Sequence, residues 1–201
     1  KEKPNIFNSW VRDWMKMPLL IVALFPHVML MSIFHSNSTF TASIIDVDID
    51  NLQFLISVMY AGIIVILLIN NRFFSYFPIK TYVLLATSCS IFLLLIILVV
   101  KDYALVMPLR VLEGIFCVLE GAIFIPIIIS EIKSKHARLF SYFILYAVLL
   151  TGSTLTTFIL KTALTNFGWT EMFYIVIVFH IALIGIALFL FNGNRFFSKM
   201  P

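Results

Sequence analysis

Charged side chains are scarce in this sequence. Asp, Glu, Lys and Arg make up 12% of its 201 residues, whereas hydrophobic residues make up 62% and the mean hydropathy is +1.06. Soluble domains carry about 25% charged residues, because water must solvate their surface. The scarcity of charge therefore excludes a soluble globular domain and indicates an integral membrane protein.

Cysteine and histidine are also too sparse for several kinds of chemistry. The two cysteines, Cys89 and Cys117, lie inside apolar segments, which excludes a disulfide framework. The four histidines are scattered along the chain and cannot supply the clustered ligands of a diiron oxygenase. Gly152-Ser153 lacks the second glycine of a Gly-x-Ser-x-Gly nucleophile motif. We therefore expect no enzyme, no metal site and no cofactor.

Six long apolar runs organise the chain. Lipid offers no partner for backbone polar groups, so apolar runs of about 20 residues in a membrane must be helices. An interfacial segment at 1–16 precedes the predicted six-helix bundle at 17–191, and a short tail follows at 192–201. The six segments lie near 17–36, 52–69, 81–100, 104–130, 139–163 and 170–191.

The basic residues mark an orientation. The net charge of +4 comes from side chains at helix ends on alternate loops, which is typical of topology signals and not of a nucleic-acid-binding surface. We expect a multi-pass protein of a bacterial inner membrane with both termini in the cytoplasm. The outer side then holds Lys101 and Lys161, Arg110 lies in the membrane, and the cytoplasmic side holds Lys1, Lys3, Arg12, Lys16, Arg72, Lys80, Lys133, Lys135, Arg138, Arg195 and Lys199.

The fourth segment is the exception to the rule of few charges. Its stretch RVLEGIFCVLEG, residues 110–121, repeats Val-Leu-Glu-Gly after seven residues. On a helix with about 100° per residue, one stripe then carries all its polar and small positions. Each charge facing lipid costs about 2.5–3.5 kcal/mol, so we expect this stripe to face the protein interior. Its members are Arg110, Glu113, Gly114, Cys117, Glu120 and Gly121.

The charges on this stripe predict a proton or ion site. Arg110 and Glu113, three residues apart, can form an ion pair, whereas Glu120 has no partner on its own helix. An unpaired buried carboxylate is a candidate proton-binding group. His27, in the first segment, is a candidate to face the same cavity, whereas the sequence favours a structural role for His180. The alternative is an Arg–Glu pair and a protonated Glu120 that only hold helices together.

The order of these motifs resembles the N-terminal six-helix half of a drug-efflux-type member of the major facilitator superfamily. Arg110-x-x-Glu113-Gly114 is similar to the Arg-x-x-Gln-Gly motif of that family's fourth helix, and Trp169-x-x-x-Phe173 to its Trp-Arg-Trp-x-Phe signature. The other matching positions are Tyr60, Pro126, Arg138 and Gly168.

The sequence departs from the family at two motifs. The loop latch between the second and third helices, Gly-x-x-x-Asp-Arg-x-Gly-Arg, is replaced by Arg72, Tyr76, Phe77, Ile79 and Lys80, without the acid. The antiporter motif of the fifth helix keeps only Gly152 and has Ser153, Thr156 and Thr157 at its other positions.

The resemblance implies a secondary active transporter that exports small amphipathic organic molecules by alternating access, coupled to protons or another ion. Segments 17–100 and 104–191 would be inverted three-helix repeats. Glu113, Glu120 and His27 would be coupling candidates, Arg110 and Gly114 motif residues, and Cys117, Gly121, Tyr60, Gly152 and Ser153 would line the cavity or pack helices.

The resemblance also implies partners. Residue 1 is Lys and the chain holds only six segments, so we expect a piece of a longer protein, or a processed form. A C-terminal six-helix half or a second copy would be needed, besides lipid and a small-molecule substrate. The alternative function is a non-transporting membrane scaffold or assembly subunit derived from a transporter half.

Overall fold

The computed structural model describes residues 7–8, 11–73, 78–122 and 124–193. Within these ranges every regular element is a helix, so the predicted all-α class is confirmed. A π-helical turn, Val118–Ala122, separates two of the helices. The helices are α1 (Asp13–Ser32), α2 (Ser38–Ile45), α3 (Ile49–Phe73), α4 (Ile79–Val99), α5 (Tyr103–Cys117), α6 (Phe124–Ser130), α7 (Lys135–Asn166) and α8 (Trp169–Leu190).

Five of these helices are long and apolar enough to cross a membrane: α1, α3, α4, α7 and α8. Polar side chains at their ends explain where several helices begin. The Asp48 carboxylate accepts a hydrogen bond from the Asn51 N–H at 2.7 Å at the start of α3, and the Ser134 hydroxyl accepts one from the Ala137 N–H at 3.4 Å at the start of α7. Such side chains satisfy backbone donors that have no partner within the helix.

Two features differ from the sequence-based prediction. The predicted outer loop at 37–51 contains the short helix α2, which ends at Asp46 in the left-handed conformation. The predicted helix at 104–130 is continuous only to Cys117, after which the π-helical turn and the short helix α6 follow. A regular stripe at 100° per residue therefore holds for Arg110 to Cys117 and not for Glu120.

The closest helix pairs are α3 with α5, α1 with α7, and α4 with α8. Glycines make the first of these crossings possible. A Cβ atom on Gly62 of α3 would lie 1.9 Å from the Val111 carbonyl oxygen, and one on Gly114 of α5 would lie 2.0 Å from the Met59 carbonyl oxygen. Each helix thus presses a glycine against the backbone of the other, as small residues allow in membranes. The predicted packing role of Gly114 is confirmed.

Polar and apolar side chains are distributed in the opposite way to a soluble protein. Large apolar side chains face outward, including Leu68, Val99 and Leu150, each more than three-quarters exposed. By contrast, Arg110 and Glu113 have no exposed surface. Lipid solvates the former at no cost, whereas charges must be satisfied inside the bundle.

The predicted interfacial segment at 1–16 is described only in part. Helix α1 begins at Asp13, and the Lys16 ammonium is buried, where it donates to the Asp13 carboxylate at 2.6 Å and the Glu131 carbonyl at 3.4 Å. Residues 1–6 and 9–10 lie outside the described part of the chain, as does most of the predicted tail at 192–201, from residue 194 onward.

Candidate functional site

Arg110 and Glu113 form a buried pair on α5. The Arg110 guanidinium donates from Nη1 to Glu113 Oε2, as their spacing predicts, and from Nη2 to the Met59 sulfur at 3.3 Å. Its carbon also lies 4.3 Å from the centre of the Phe34 ring, a cation–π contact. Both charges are therefore compensated within one local cluster.

Glu120 forms a second buried cluster, with partners from other helices. Its Oε2 lies 3.6 Å from Nδ1 of His27 on α1 and 3.4 Å from Nε2 of His180 on α8. Ser90 of α4 faces the same carboxylate. Glu120 has no partner on its own helix, as predicted, but it is flanked by two imidazoles. We call His27, Glu120 and His180 the His–Glu–His cluster.

His180 is the residue that sequence reasoning missed. It lies in the middle of the most hydrophobic helix, where the sequence favoured a structural role. The only available signal was that a titratable side chain in an apolar span needs a polar partner.

The cluster borders an apolar cavity of about 340 Å³. This inner cavity is lined by His27, Cys117 and Gly121 as predicted, so these three residues are cavity residues in the structure. The rest of its wall is aliphatic, from Leu24, Val28, Met31, Ile63, Val118, Ile125, Leu145 and Leu149.

A second cavity of about 580 Å³ adjoins the first, and both are lined by Val28, Met31 and Leu149. Tyr60 and Ser153, both predicted to be cavity or packing residues, line this outer cavity. Its remaining lining residues are polar apart from the shared ones: Ser32, His35, Thr154 and Thr157. The outer cavity therefore offers hydroxyl groups, whereas the inner one offers aliphatic surface.

His35 keeps the outer cavity uncharged at neutral pH. Partial burial, and then the nearby positive charge of Arg110, lower the pKa of His35 below its usual value. Within the described residues, neither cavity is lined by a carboxylate, a lysine or an arginine. The ligand that such walls favour is uncharged, with an apolar part and a part that forms hydrogen bonds.

Gly152 packs helices and does not line a cavity. It is buried on α7, where a Cβ atom would meet methyl groups of Val148 and Val28 at 3.4–3.8 Å. One turn further on, the Thr156 hydroxyl hydrogen-bonds to the Ser32 hydroxyl of α1 at 2.9 Å. These small residues hold α7 against α1, beside the cavities.

Metal binding finds no support in this geometry. Across the described ranges, no group of three or more His, Cys, Asp or Glu side chains is arranged to hold a metal ion. The chemistry available at the His–Glu–His cluster is therefore the binding and release of protons.

The sequence matches no protein-family model and no curated protein at a significant level.

Proposed function

We propose that the chain is part of a secondary active membrane transporter, in which protonation of the His–Glu–His cluster is coupled to the movement of a small amphipathic molecule through the two cavities. The observation that carries this proposal is a buried carboxylate, Glu120, between His27 and His180, with His27 lining a cavity. Ionisable residues inside a membrane protein typically mark ion and substrate pathways.

The helix pairing supports two inverted repeats. Counted along the chain, the six apolar segments are α1, α3, α4, the broken helix α5–α6, α7 and α8. The first pairs with the fifth, the second with the fourth, and the third with the sixth. A two-fold operation that exchanges the first three segments with the last three converts the first two pairs into each other and the last into itself. This is the pairing that two inverted three-helix repeats require.

The interruption of the fourth segment supports the same function. π-Helical turns occur mostly at functional sites, and broken helices build the binding sites of many transporters. Here the interruption holds Glu120 itself, in the turn Val118–Ala122. A six-helix unit of this kind would need a C-terminal half or a second copy to complete an alternating-access pathway.

Dye transport in membrane vesicles tests the proposal. The chain is expressed in cells, and everted vesicles with an imposed pH gradient are given Hoechst 33342, an amphipathic dye that fluoresces in lipid. We expect gradient-driven loss of fluorescence that Glu120→Gln abolishes. Glu171→Gln is the control, because Glu171 is exposed at the start of α8.

Two outcomes would contradict the proposal. Vesicles with the wild-type chain that behave like vesicles without it would exclude transport of such dyes. Gradient-driven transport that persists in Glu120→Gln would exclude Glu120 as the coupling residue. The permanently cationic dye ethidium gives a further comparison, because walls without carboxylates should move it more slowly than Hoechst 33342.

A further inference from the structure

Five buried polar atoms of the His–Glu–His cluster have no hydrogen-bond partner among the described residues. They are both ring nitrogens of His27, both carboxylate oxygens of Glu120 and Nε2 of His180. Each unpaired buried polar group costs about 1–3 kcal/mol. Such groups point to a ligand that completes the site, for instance a proton or a water molecule.

The hydrogen bonding of His180 determines where one proton must be. Its Nδ1 lies 2.8 Å from the Val176 carbonyl oxygen, which can only accept, so Nδ1 carries a hydrogen. A neutral imidazole has one N–H, and its Nε2 would then turn a lone pair towards the Glu120 carboxylate at 3.4 Å. That contact is attractive only if a proton lies between the two atoms. His180 and Glu120 therefore hold one proton together.

The charged form of this pair is the better supported of the two. The Val176 carbonyl accepts from one side of a His180 imidazolium, and the Glu120 carboxylate from the other. A buried ion pair is stable only where further polar groups satisfy both partners. Ser90 of α4 also faces the carboxylate. We therefore place the proton on His180.

His27 differs from His180 in its access to the cavity. No hydrogen bond to described residues fixes either of its ring nitrogens, and its side chain lines the inner cavity. Its Nδ1 nevertheless faces the same Glu120 oxygen, at 3.6 Å. A proton can thus reach the ring from the cavity and pass on to Glu120. His180 lines neither cavity and has no exposed surface.

We propose that the cluster divides its labour: His180 holds a permanent proton beside Glu120, and His27 carries an exchangeable proton between the inner cavity and Glu120. In each cycle an N–H bond forms on His27 from cavity water, and the proton then forms an O–H bond on Glu120. The proposal deepens the proposed function, because it assigns the route of the coupling proton.

The other charged and titratable groups near the cluster come from one helix. Cys117 and Glu113 of α5 act on it electrostatically, and Glu113 is paired with Arg110. From α6 and α7, the inner cavity receives only Ile125, Leu145 and Leu149. His27 and His180 are therefore the cluster's principal exchange partners for a proton on Glu120.

Gly121 positions the ring of His27. A Cβ atom on Gly121 would lie 1.5 Å from Cδ2 and 1.7 Å from Nε2 of that ring. Gly121→Ala must therefore displace His27, while Glu120 and His180 keep their own contacts. Gly152→Ala is the matched control, because its Cβ atom would meet only methyl groups at 3.4 Å or more.

Nitrogen NMR of histidine tests the proposal without any transport measurement. The chain has four histidines. His35→Gln and His136→Gln leave only the two of the cluster. The protein, labelled with ¹⁵N-histidine in lipid bilayers, is observed at neutral pH and on acidification, between about pH 8 and pH 5, where histidines titrate.

We expect both nitrogens of His180 to be protonated at neutral pH, and its Nε2 proton to be lost in Glu120→Gln. We also expect Glu120→Gln to shift the titration midpoint of His27, and Gly121→Ala to abolish that shift, whereas Gly152→Ala preserves it. An unprotonated Nε2 on His180 in the unsubstituted cluster, or a His27 midpoint that ignores Glu120→Gln, would overturn the proposal.

The His180 result does not depend on how well Gly121→Ala folds. It also separates this proposal from the proposed function. The expected spectra together with absent dye transport would leave the proton site in place and remove the transporter.

Discussion

The buried charges of this protein fall into two kinds of residue cluster. Arg110 and Glu113 lie three residues apart on one helix and compensate each other. Glu120 instead faces two imidazoles, whose charge depends on how many protons they hold. The first cluster has a fixed charge and is suited to stability, whereas the second can change its charge and is suited to coupling.

Breaking the first pair should destabilise the bundle. Arg110→Met leaves Glu113 buried without a counter-charge, and we expect the free energy of unfolding to fall by about 3–5 kcal/mol. Arg110→Met combined with Glu113→Leu should recover most of that loss, because no charge is then buried alone. Denaturant unfolding in detergent micelles measures both. A single variant as stable as the wild type would contradict this view of the pair.

The same contrast explains which site residues the sequence could predict. The Arg110–Glu113 pair follows from local helix geometry, since residues three apart lie on one face. The partners of Glu120 do not, because His27 and His180 are distant in sequence and reach it only through the packing of α1 and α8. His180 in particular lies in an apolar helix whose sequence gives no hint of which face meets which neighbour.

At the scale of elements, the crossing of α3 and α5 is the tightest contact in the described structure. Gly62 and Gly114 each press against the backbone of the opposite helix. The crossing also positions Met59, whose sulfur accepts from Arg110. Close helix packing and the first charged cluster are therefore built by the same few residues.

Adding one methyl group at this crossing should separate the helices. We expect Gly62→Ala and Gly114→Ala each to lower the free energy of unfolding by about 1–3 kcal/mol, because backbone atoms cannot move aside as a side chain can. Gly185→Ala, where a Cβ atom would meet nothing within 4 Å, should leave it unchanged. Thermal unfolding of the three variants in one detergent checks this. Equal stability of Gly62→Ala and Gly185→Ala would refute it.

Elements were predicted with uneven success. The long helices follow from apolar length alone, and their ends lie within a few residues of those predicted. Helix α2 was missed because eight residues of mixed polarity carry little periodic signal. The π-helical turn at Val118–Ala122 was missed because the repeat Val-Leu-Glu-Gly is compatible with a regular helix. Only the packing around Glu120 distinguishes the two.

At the scale of the whole molecule, polarity is arranged for a lipid surround. Apolar side chains such as Leu150 are exposed, and charged ones such as Arg110 are enclosed. The distribution of basic residues adds a direction to this arrangement. It predicts that the 131–134 connection lies in the cytoplasm and the 100–102 connection on the opposite side.

Labelling of single cysteines tests that direction. In a background with Cys89→Ser and Cys117→Ala, we introduce Lys101→Cys or Lys133→Cys, a matched pair because both lysines are exposed in short connections. A membrane-impermeant maleimide added to intact cells should label Lys101→Cys, and label Lys133→Cys only after the cells are permeabilised. The reverse pattern would place the termini outside.

The π-helical turn around Glu120 has a consequence for the gene. A ring closed between residues five apart holds one residue more than the ring of an α-helix, so the turn amounts to one extra codon. Removing that codon would rotate all that follows by about 100° relative to α5. The difference between a helix that presents Glu120 to two histidines and one that does not is thus a single in-frame insertion. Such a site can be gained or lost in one genetic event while every helix keeps its composition.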